Sequence, residues 1–440
     1  MAFLKKLGEY SKVYTDPANA SMVPCGICLK SRRARDLKPN TPLSKKNAKH
    51  ITLRAQGVPE VKHRYIEFSS PEGTCYIRND RLKQLKEIDV VVFDCDGVLL
   101  DVRDSYSGAT AETASILLEA LTGTKVNPSV FDGDVFFAFK KTGHFNNDWS
   151  VTYAYVMGAL STLTDSELST LNTSASKVED GSPSERLNKL REIRTPSHLH
   201  PKHIKESLIK LAESTSTMGV EAMDSPLLPR IGTNLKKLLH PRGNVGENIT
   251  STLFEEIFGG AKLFQETFGF RAQFTDKQTG YIEKEKLVLN TATIQILDEL
   301  LNGRRLGVAS GSIRNSAKHI LGCFIDVFPR GAQVWHEDVD AASKDAQNLH
   351  KPNGYMLLRA SQAYAPYRRV IYVGDTMADL LTARNADKQS PKFSFLGIYA
   401  TSARQETTRE MFLSSGADAV APTVNQLPLI IQKARADGDP

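Results

Sequence analysis

VVVFDCDGVLLD, residues 90–101, runs an apolar segment straight into two aspartates spaced one residue apart. From Ile88 to Phe93 the chain is apolar apart from Asp89, as expected of a strand buried on both faces of a parallel sheet. Period-two geometry puts Asp94 and Asp96 on one face and turns Cys95 to the other, where it reads as a small buried filler. Gly97 lets the chain turn sharply away. The segment carries no serine or histidine, so the chemistry at this strand end must use bare carboxylates.

Working outward, the same pattern returns after residue 286. A helix over 291–301 precedes the strand RRLGVAS (304–310), a helix begins after Ser312, and DVFPRGAQVW (326–335) holds a short extended piece. A helix over 353–364 leads into RRVIYVGD (368–375). A helix over 377–385, a strand over 393–400, a helix over 406–414 and a strand near 417–420 follow. Alternation of this kind means βαβ units and a parallel sheet. Between the first strand and this run lie helical patterns at 105–121, 149–163, 203–214 and 250–268. The fold class is therefore α/β, with a core at 87–102 and 286–440 and a helical insertion at 103–285. Residues 161–180 hold nine Ser or Thr and SPSE and TPSH follow, so 161–202 is expected to be a polar loop or disordered insertion. Upstream, HRYIEFSSPEGTCYIRND within 63–86 reads as a hairpin around Ser-Pro-Glu-Gly.

The charge is lopsided. Residues 1–54 hold twelve Lys or Arg against three acids, a net of +9, so the rest of the chain carries −3 of the formal +6. Residues 1–62 thus read as a basic, flexible arm. It is open to reading as an organelle transit peptide or as a weak nucleic-acid or membrane contact, with a solvated tail the plainer reading. The near-neutral body gives no reason to expect nucleic acid there. No run approaches the ~18 apolar residues of a membrane span. Five scattered cysteines and no apolar leader point to a reducing compartment, here the cytoplasm. The spacing says nothing about oligomeric state.

Ligands of open parallel sheets bind beyond the carboxyl ends of the strands. There the sequence places Asp94 and Asp96, Ser310 after the second core strand, Asp375 after RRVIYVG, and Asp379 one turn into the next helix. Lys351 precedes a helix between the last two strands. A lone Asp after a strand is usually a cap, and Asp101 and Asp104 are left to that role. Four acids gathered at one edge repel unless a cation joins them, and an oxygen-only set favours Mg²⁺. A carboxylate facing a metal-bound phosphoryl group can act as nucleophile. Here Lys351 would neutralise charge on Asp94 and on the phosphoryl oxygens, and Ser310 would donate a hydrogen bond to them. Asp96 protonates the leaving alkoxide and then deprotonates water. Gly97, Gly311 and Gly374 allow close backbone approach to the phosphate.

Four segments together resemble the signatures of the haloacid dehalogenase superfamily: DCDGVLLD (94–101), LGVASGS (306–312), KP (351–352) and GDTMAD (374–379). GHFNNDWSVTYA (143–154) is similar to a cap segment of a subfamily near phosphoglycolate phosphatase. The resemblance implies a Rossmann-like core with a helical cap after the first strand. It also implies Asp94 as nucleophile and Asp96 as acid/base, with Mg²⁺ held by Asp94, the Asp96 carbonyl and Asp375 and with Asp379 a ligand or support. Two departures stand out: an insertion longer than such caps usually are, and residues 1–86. Within the superfamily, Asp96 favours phosphoryl chemistry over dehalogenation, because halide leaves unprotonated. Phosphonate hydrolysis uses a cap lysine, and Lys140 and Lys141 exist, but the small residue expected in place of Asp96 does not. The expectation is a Mg²⁺-dependent phosphatase acting on a small phosphorylated metabolite. A phosphomutase, or a non-enzymatic binding protein keyed to the basic arm, is the alternative. A phospho-acceptor receiver domain fits poorly, since it lacks an inserted cap.

Two weaker signals remain. Cys25-x-x-Cys28 is half of a zinc site that His50, His63 or Cys75 would have to complete. In the cap, Lys140, His144, Asn146 and Asn147 are candidates to meet a polar leaving group, against a plain reading in which Asn147 or Asp148 caps a helix.

Overall fold

The structure is a computed structural model that describes residues 64–437 except 142, 144, 146, 179, 215–219, 242 and 344–347. The basic arm, Cys25, Cys28, His50, His63, His144 and Asn146 therefore lie outside the described residues. In chain order the strands are β1 (Tyr65–Ser70), β2 (Gly73–Arg78), β3 (Ile88–Phe93), β4 (Leu100–Asp101), β5 (Lys286–Leu287), β6 (Leu306–Ala309), β7 (Gln333–Val334), β8 (Arg369–Gly374), β9 (Phe393–Ile398) and β10 (Ala419–Ala421).

Eight of these form one sheet in the order β1-β2-β10-β9-β8-β3-β6-β7. From β10 to β7 every pairing is parallel, and β3 sits between β8 and β6, with Phe93 beside Val373 on one side and Val308 on the other. The chain moves outward from β3 to β6 and β7, then crosses to β8 on the opposite flank. The strand order thus reverses at β3, which is where a doubly wound sheet opens a ligand crevice.

The apolar run of β3 divides by parity. Val91 and Phe93 pack with Leu306, Ile371 and Leu396 on one face; Val90 and Val92 pack with Val370, Tyr372 and Phe395 on the other. Asp89, the one acid in the run, sits at a register shift and accepts the backbone N–H groups of Arg368 and Arg369 at 3.1 Å, so it ties β3 to the start of β8.

The N-terminal hairpin is more than an appendage. β2 runs antiparallel beside β10, extending the sheet at that edge. Buried, the Tyr65 hydroxyl donates to the Ala417 carbonyl at 2.8 Å, and Arg78 and Arg81 pair with Asp418. Cys75 is buried in β2 within the core.

After β4 the chain leaves the sheet, and it returns at β5, antiparallel to β4 with Leu100 beside Leu287. Between them lie helices Tyr106–Thr122, Gly133–Lys140, Asp148–Leu160, Asp165–Ala175, Pro183–Ile193, Pro201–Ser214, Val220–Ile231, Thr233–Leu239 and Ile249–Phe268, around a core of their own. The Ser/Thr-rich stretch departs from expectation, since it contains two helices in place of a loop. Thr164 with Glu167 and Ser182 with Glu185 form capping boxes that satisfy the first N–H groups. Leu168, Leu171, Leu187 and Leu190 recur at helical spacing and are buried. Hydroxyls on the outer face hid that stripe in a composition count. The stretch 326–335 does hold a short extended piece, Gln333–Val334, the rest being mostly 3₁₀ turns.

If residues 183–193 pack as described, Leu187→Ala will cost about 2–5 kcal/mol in chemical denaturation, the usual range for a buried leucine. A loss within about 0.5 kcal/mol, typical of surface changes, would mean the segment does not pack.

Candidate active site

β3 delivers Asp94 to the sheet edge, where its N–H donates to the Val373 carbonyl at 2.8 Å. The next turn is wound about the Cys95 carbonyl, which accepts from Leu99 at 2.8 Å and Leu100 at 3.1 Å. Gly97 adopts φ +73°, and a Cβ there would lie 2.0 Å from Asp375 Oδ2. This glycine is what allows the first strand's turn to press against the acid following β8. Gly374 plays the same part for Asp379, whose Cβ would stand 2.3 Å from an added methyl.

Lys351 Nζ lies 2.8 Å from Asp94 Oδ1 and 2.7 Å from Asp379 Oδ1, with all three side chains buried. Asp379 is held firmly. Its Oδ2 accepts the Thr376 N–H at 3.0 Å and hydroxyl at 2.5 Å, in a capping box that opens helix Met377–Gln389. The Tyr372 hydroxyl shares its proton between the Ala309 carbonyl at 2.8 Å and Asp379 Oδ1 at 3.1 Å. Carboxylate oxygens of Asp94, Asp375 and Asp379 lie within 4.8 Å of one another. Next to them, Ser312 Oγ donates to Asp96 Oδ2 at 2.6 Å, and Ser310 Oγ stands 2.8 Å from Ser312 Oγ. With Asp96 ionised, Ser312 has spent its proton there, so Ser310 donates to Ser312. Gly311, between them, is exposed beside the cavity.

Four carboxylates face one lysine, and the imbalance shows in the proton affinities of Asp94, Asp96 and Asp375. Burial pushes Asp94 up to about 7; Lys351 opposes the rise, and Asp379 and Asp96 add to it. Asp375 is raised well above the carboxylate range by burial, then by Asp379 and Asp94. Asp96 is also raised by burial, against the hydrogen bonds from Ser312 and Tyr106. Burial disfavours the Lys351 ammonium, yet Asp379 and Asp94 outweigh it and raise its pKa. Such a set has the composition of a hard-cation site: oxygen donors only, excess negative charge, and carboxylates within reach of one ion. Asp94 and Asp375 would hold a divalent cation with the Asp96 carbonyl. Both oxygens of Asp379 are already engaged, one by Lys351 and Tyr372 and the other by Thr376, which suits it to supporting Lys351.

These groups open into a cavity of about 490 Å³ whose other walls come from the helical insertion, including Tyr106, Phe136, Lys140, Trp149, Phe254 and Glu255. Lys140 pairs with Asp148 at 2.9 Å and lies over the Phe136 ring at 5.4 Å. Asn147 caps helix Asp148–Leu160, accepting from Trp149 N at 2.8 Å, and also lines the cavity. Glu255 accepts from Trp149 Nε1 at 2.8 Å; its carboxyl is pushed up to about 7 by burial, against that hydrogen bond. Ser312, Tyr106, Tyr372, Asp148 and Glu255 escaped the sequence reading as site residues. Only Ser312 carried a signal, being two residues past Ser310; the others are ordinary helix or strand residues until the insertion folds over the sheet edge.

A family model described as haloacid dehalogenase-like hydrolase matches residues 88–387. The chain belongs to the haloacid dehalogenase-like hydrolases. The matched span runs from β3 through the helix after β8, so it takes in both aspartates of the opening stretch, Ser310, Lys351, Asp375 and Asp379. No curated protein matches the chain significantly. Among solved structures, phosphatase Tt82 from Thermococcus thioreducens is similar at 19% identity, covering 74% of this chain and 99% of that one with a TM-score of 0.38. Hydrolases of this family generally use a divalent metal. No helix among the described residues is long and apolar enough to cross a membrane.

The raised Asp94 pKa has a signed consequence. A carboxyl of ordinary pKa 3.8 when unfolded and about 7 when folded contributes stability that is present below about pH 4 and lost as pH rises through 7. Metal-free protein will therefore lose thermal stability across that window relative to Asp94→Asn. Melting curves of both proteins in chelator, from pH 4 to 8, will show the difference, and parallel curves would refute it.

Proposed function

We propose that this hydrolase is a Mg²⁺-dependent phosphatase of a small phosphorylated metabolite, of the phosphoglycolate phosphatase-like subfamily, acting in the cytoplasm through an aspartyl-phosphate. In this reading residues 87–102 and 286–440 are the catalytic core and 103–285 the helical cap. The observation that carries it is the pair Asp94 and Asp96. The first is buried against Lys351, and the second is hydrogen-bonded to Ser312 beside the same cavity.

Asp94 attacks phosphorus, and the bond to the leaving oxygen breaks. Asp96, whose carboxyl burial makes a weaker acid, gives that oxygen its proton. Asp96 then removes a proton from water, which attacks the phosphorus of the acyl phosphate, releasing inorganic phosphate and restoring Asp94. Lys351 holds Asp94 in place and offsets charge on the phosphoryl oxygens. Ser310 donates a hydrogen bond to those oxygens, and the Gly97 and Gly311 turns leave room for them. Bound Mg²⁺ would polarise the phosphoryl group and hold Asp94 and Asp375 ionised. Protonation of the leaving group is what separates this chemistry from dehalogenation, where no acid is needed.

The cavity volume falls within the range of small-molecule sites. Of the cap candidates for meeting a polar leaving group, Lys140 and Asn147 line it, while His144 and Asn146 lie outside the described residues.

A panel of phosphorylated metabolites, including phosphoglycolate, sugar phosphates and an aryl phosphate, assayed for free phosphate with and without Mg²⁺, tests this reading. Turnover should need Mg²⁺, vanish in Asp94→Asn, and fall by about 10²–10⁴ in Asp96→Asn. An Asp94→Asn protein as fast as wild type would overturn the proposal.

A further inference from the structure

A second cluster of ligating side chains lies at the wall of the same cavity and shares no residue with the carboxylate set. His336 and Asp340 stand one turn apart on helix His336–Ala342, and His350 comes from the segment just before Lys351. His336 Nε2 is 3.1 Å from Asp340 Oδ2, and His350 Nε2 is 2.7 Å from Asp340 Oδ1. The two imidazole rings are 5.0 Å apart, and one ligand atom from each residue falls within a 4.8 Å span. Both histidines line the cavity.

We infer that His336, Asp340 and His350 form a binding site for a divalent transition-metal ion of the zinc class. Four-coordinate zinc with bonds of about 2.0–2.1 Å keeps neighbouring donor atoms roughly 3.3 Å apart. Each histidine nitrogen already stands near that spacing from an Asp340 oxygen, and all three donors fall within 4.8 Å, so an ion would replace two hydrogen bonds. Two imidazoles and one carboxylate suit zinc, cobalt or nickel better than magnesium, which takes oxygen donors. Three protein ligands leave coordination positions open, and both histidines border the cavity. The surroundings favour a cation as well. Asp340 supplies the one carboxylate among the three donors, and buried Glu255 stands one ring away, bonded to Trp149, whose indole meets the His336 ring.

Trp149 provides the readout, since its ring is 5.7 Å from that of His336; the only other tryptophan, Trp335, precedes His336 in sequence. Full-length protein in excess Mg²⁺, which occupies the carboxylate site, is titrated with Co²⁺ while tryptophan emission is followed. Saturable quenching is expected. His336→Ala and His350→Ala should each weaken apparent affinity at least about tenfold, the lower end of what even outer ligands of metal sites contribute. Asp375→Asn, and Cys25→Ser with Cys28→Ser, should retain it. Absence of quenching in the wild type overturns the inference. So does quenching that survives both histidine variants, or that disappears only in Asp375→Asn. Phosphatase activity does not enter, so failure here leaves the proposed reaction standing, and an inactive protein that still binds Co²⁺ this way separates the two.

Discussion

The ammonium of Lys351, buried between Asp94 and Asp379, is the contact on which the rest of the site depends. Breaking a buried ion pair costs more than forming it gains, because the survivor is left charged and dry. Here one lysine serves two acids from different strand ends. Asp94 follows β3, and Asp379 is reached through the capping box that starts the helix after β8. The reversal of strand order at β3 brings those ends together. Parallel pairing and the parity of β3 fix their depth, and the lysine fixes their orientation. Removing any one of these would leave carboxylates that burial alone would protonate.

Much of the core was legible because its constraints are local. A strand buried on both faces must be apolar, so β3, β6, β8 and β9 announced themselves, and acids after apolar runs marked where the sheet edge lay. Lys351 and Ser310 followed from order along the chain. The Ser/Thr-rich segment was misread for a physical reason. Hydroxyl content lowers average hydrophobicity, but four buried leucines and two capping boxes decide the local structure. The hairpin was read, while its union with β10 was not, since pairing across more than 300 residues leaves no local pattern. Glu255 and His336 were invisible for the same reason: their chemistry comes from facing one cavity, which only tertiary folding creates.

The cavity itself is built in two styles. On the sheet side its groups sit on backbone clamped by strand pairing and by glycines that tolerate no side chain. Opposite them, aromatic rings of the insertion stack on one another, with Tyr106 4.5 Å from Phe258 and Phe254 5.9 Å from Phe258. Polar groups on that side are mostly tied to each other, Lys140 to Asp148 and Trp149 to Glu255. Any polar group entering the cavity must compete with these pairs for its partners.

The short ladder between β4 and β5 has a consequence for how such a chain can fold at all. Because departure and return are side by side, everything from residue 102 to 285 is, as far as the sheet is concerned, the tip of a hairpin. Loop-closure entropy grows only logarithmically with length, so roughly doubling such a tip costs about 0.6 kcal/mol. The sheet can assemble with little regard to how much chain hangs from that point, and the hanging part can gather its own apolar core. Length was free to accumulate there, at the one place where it also overlooks the reacting groups.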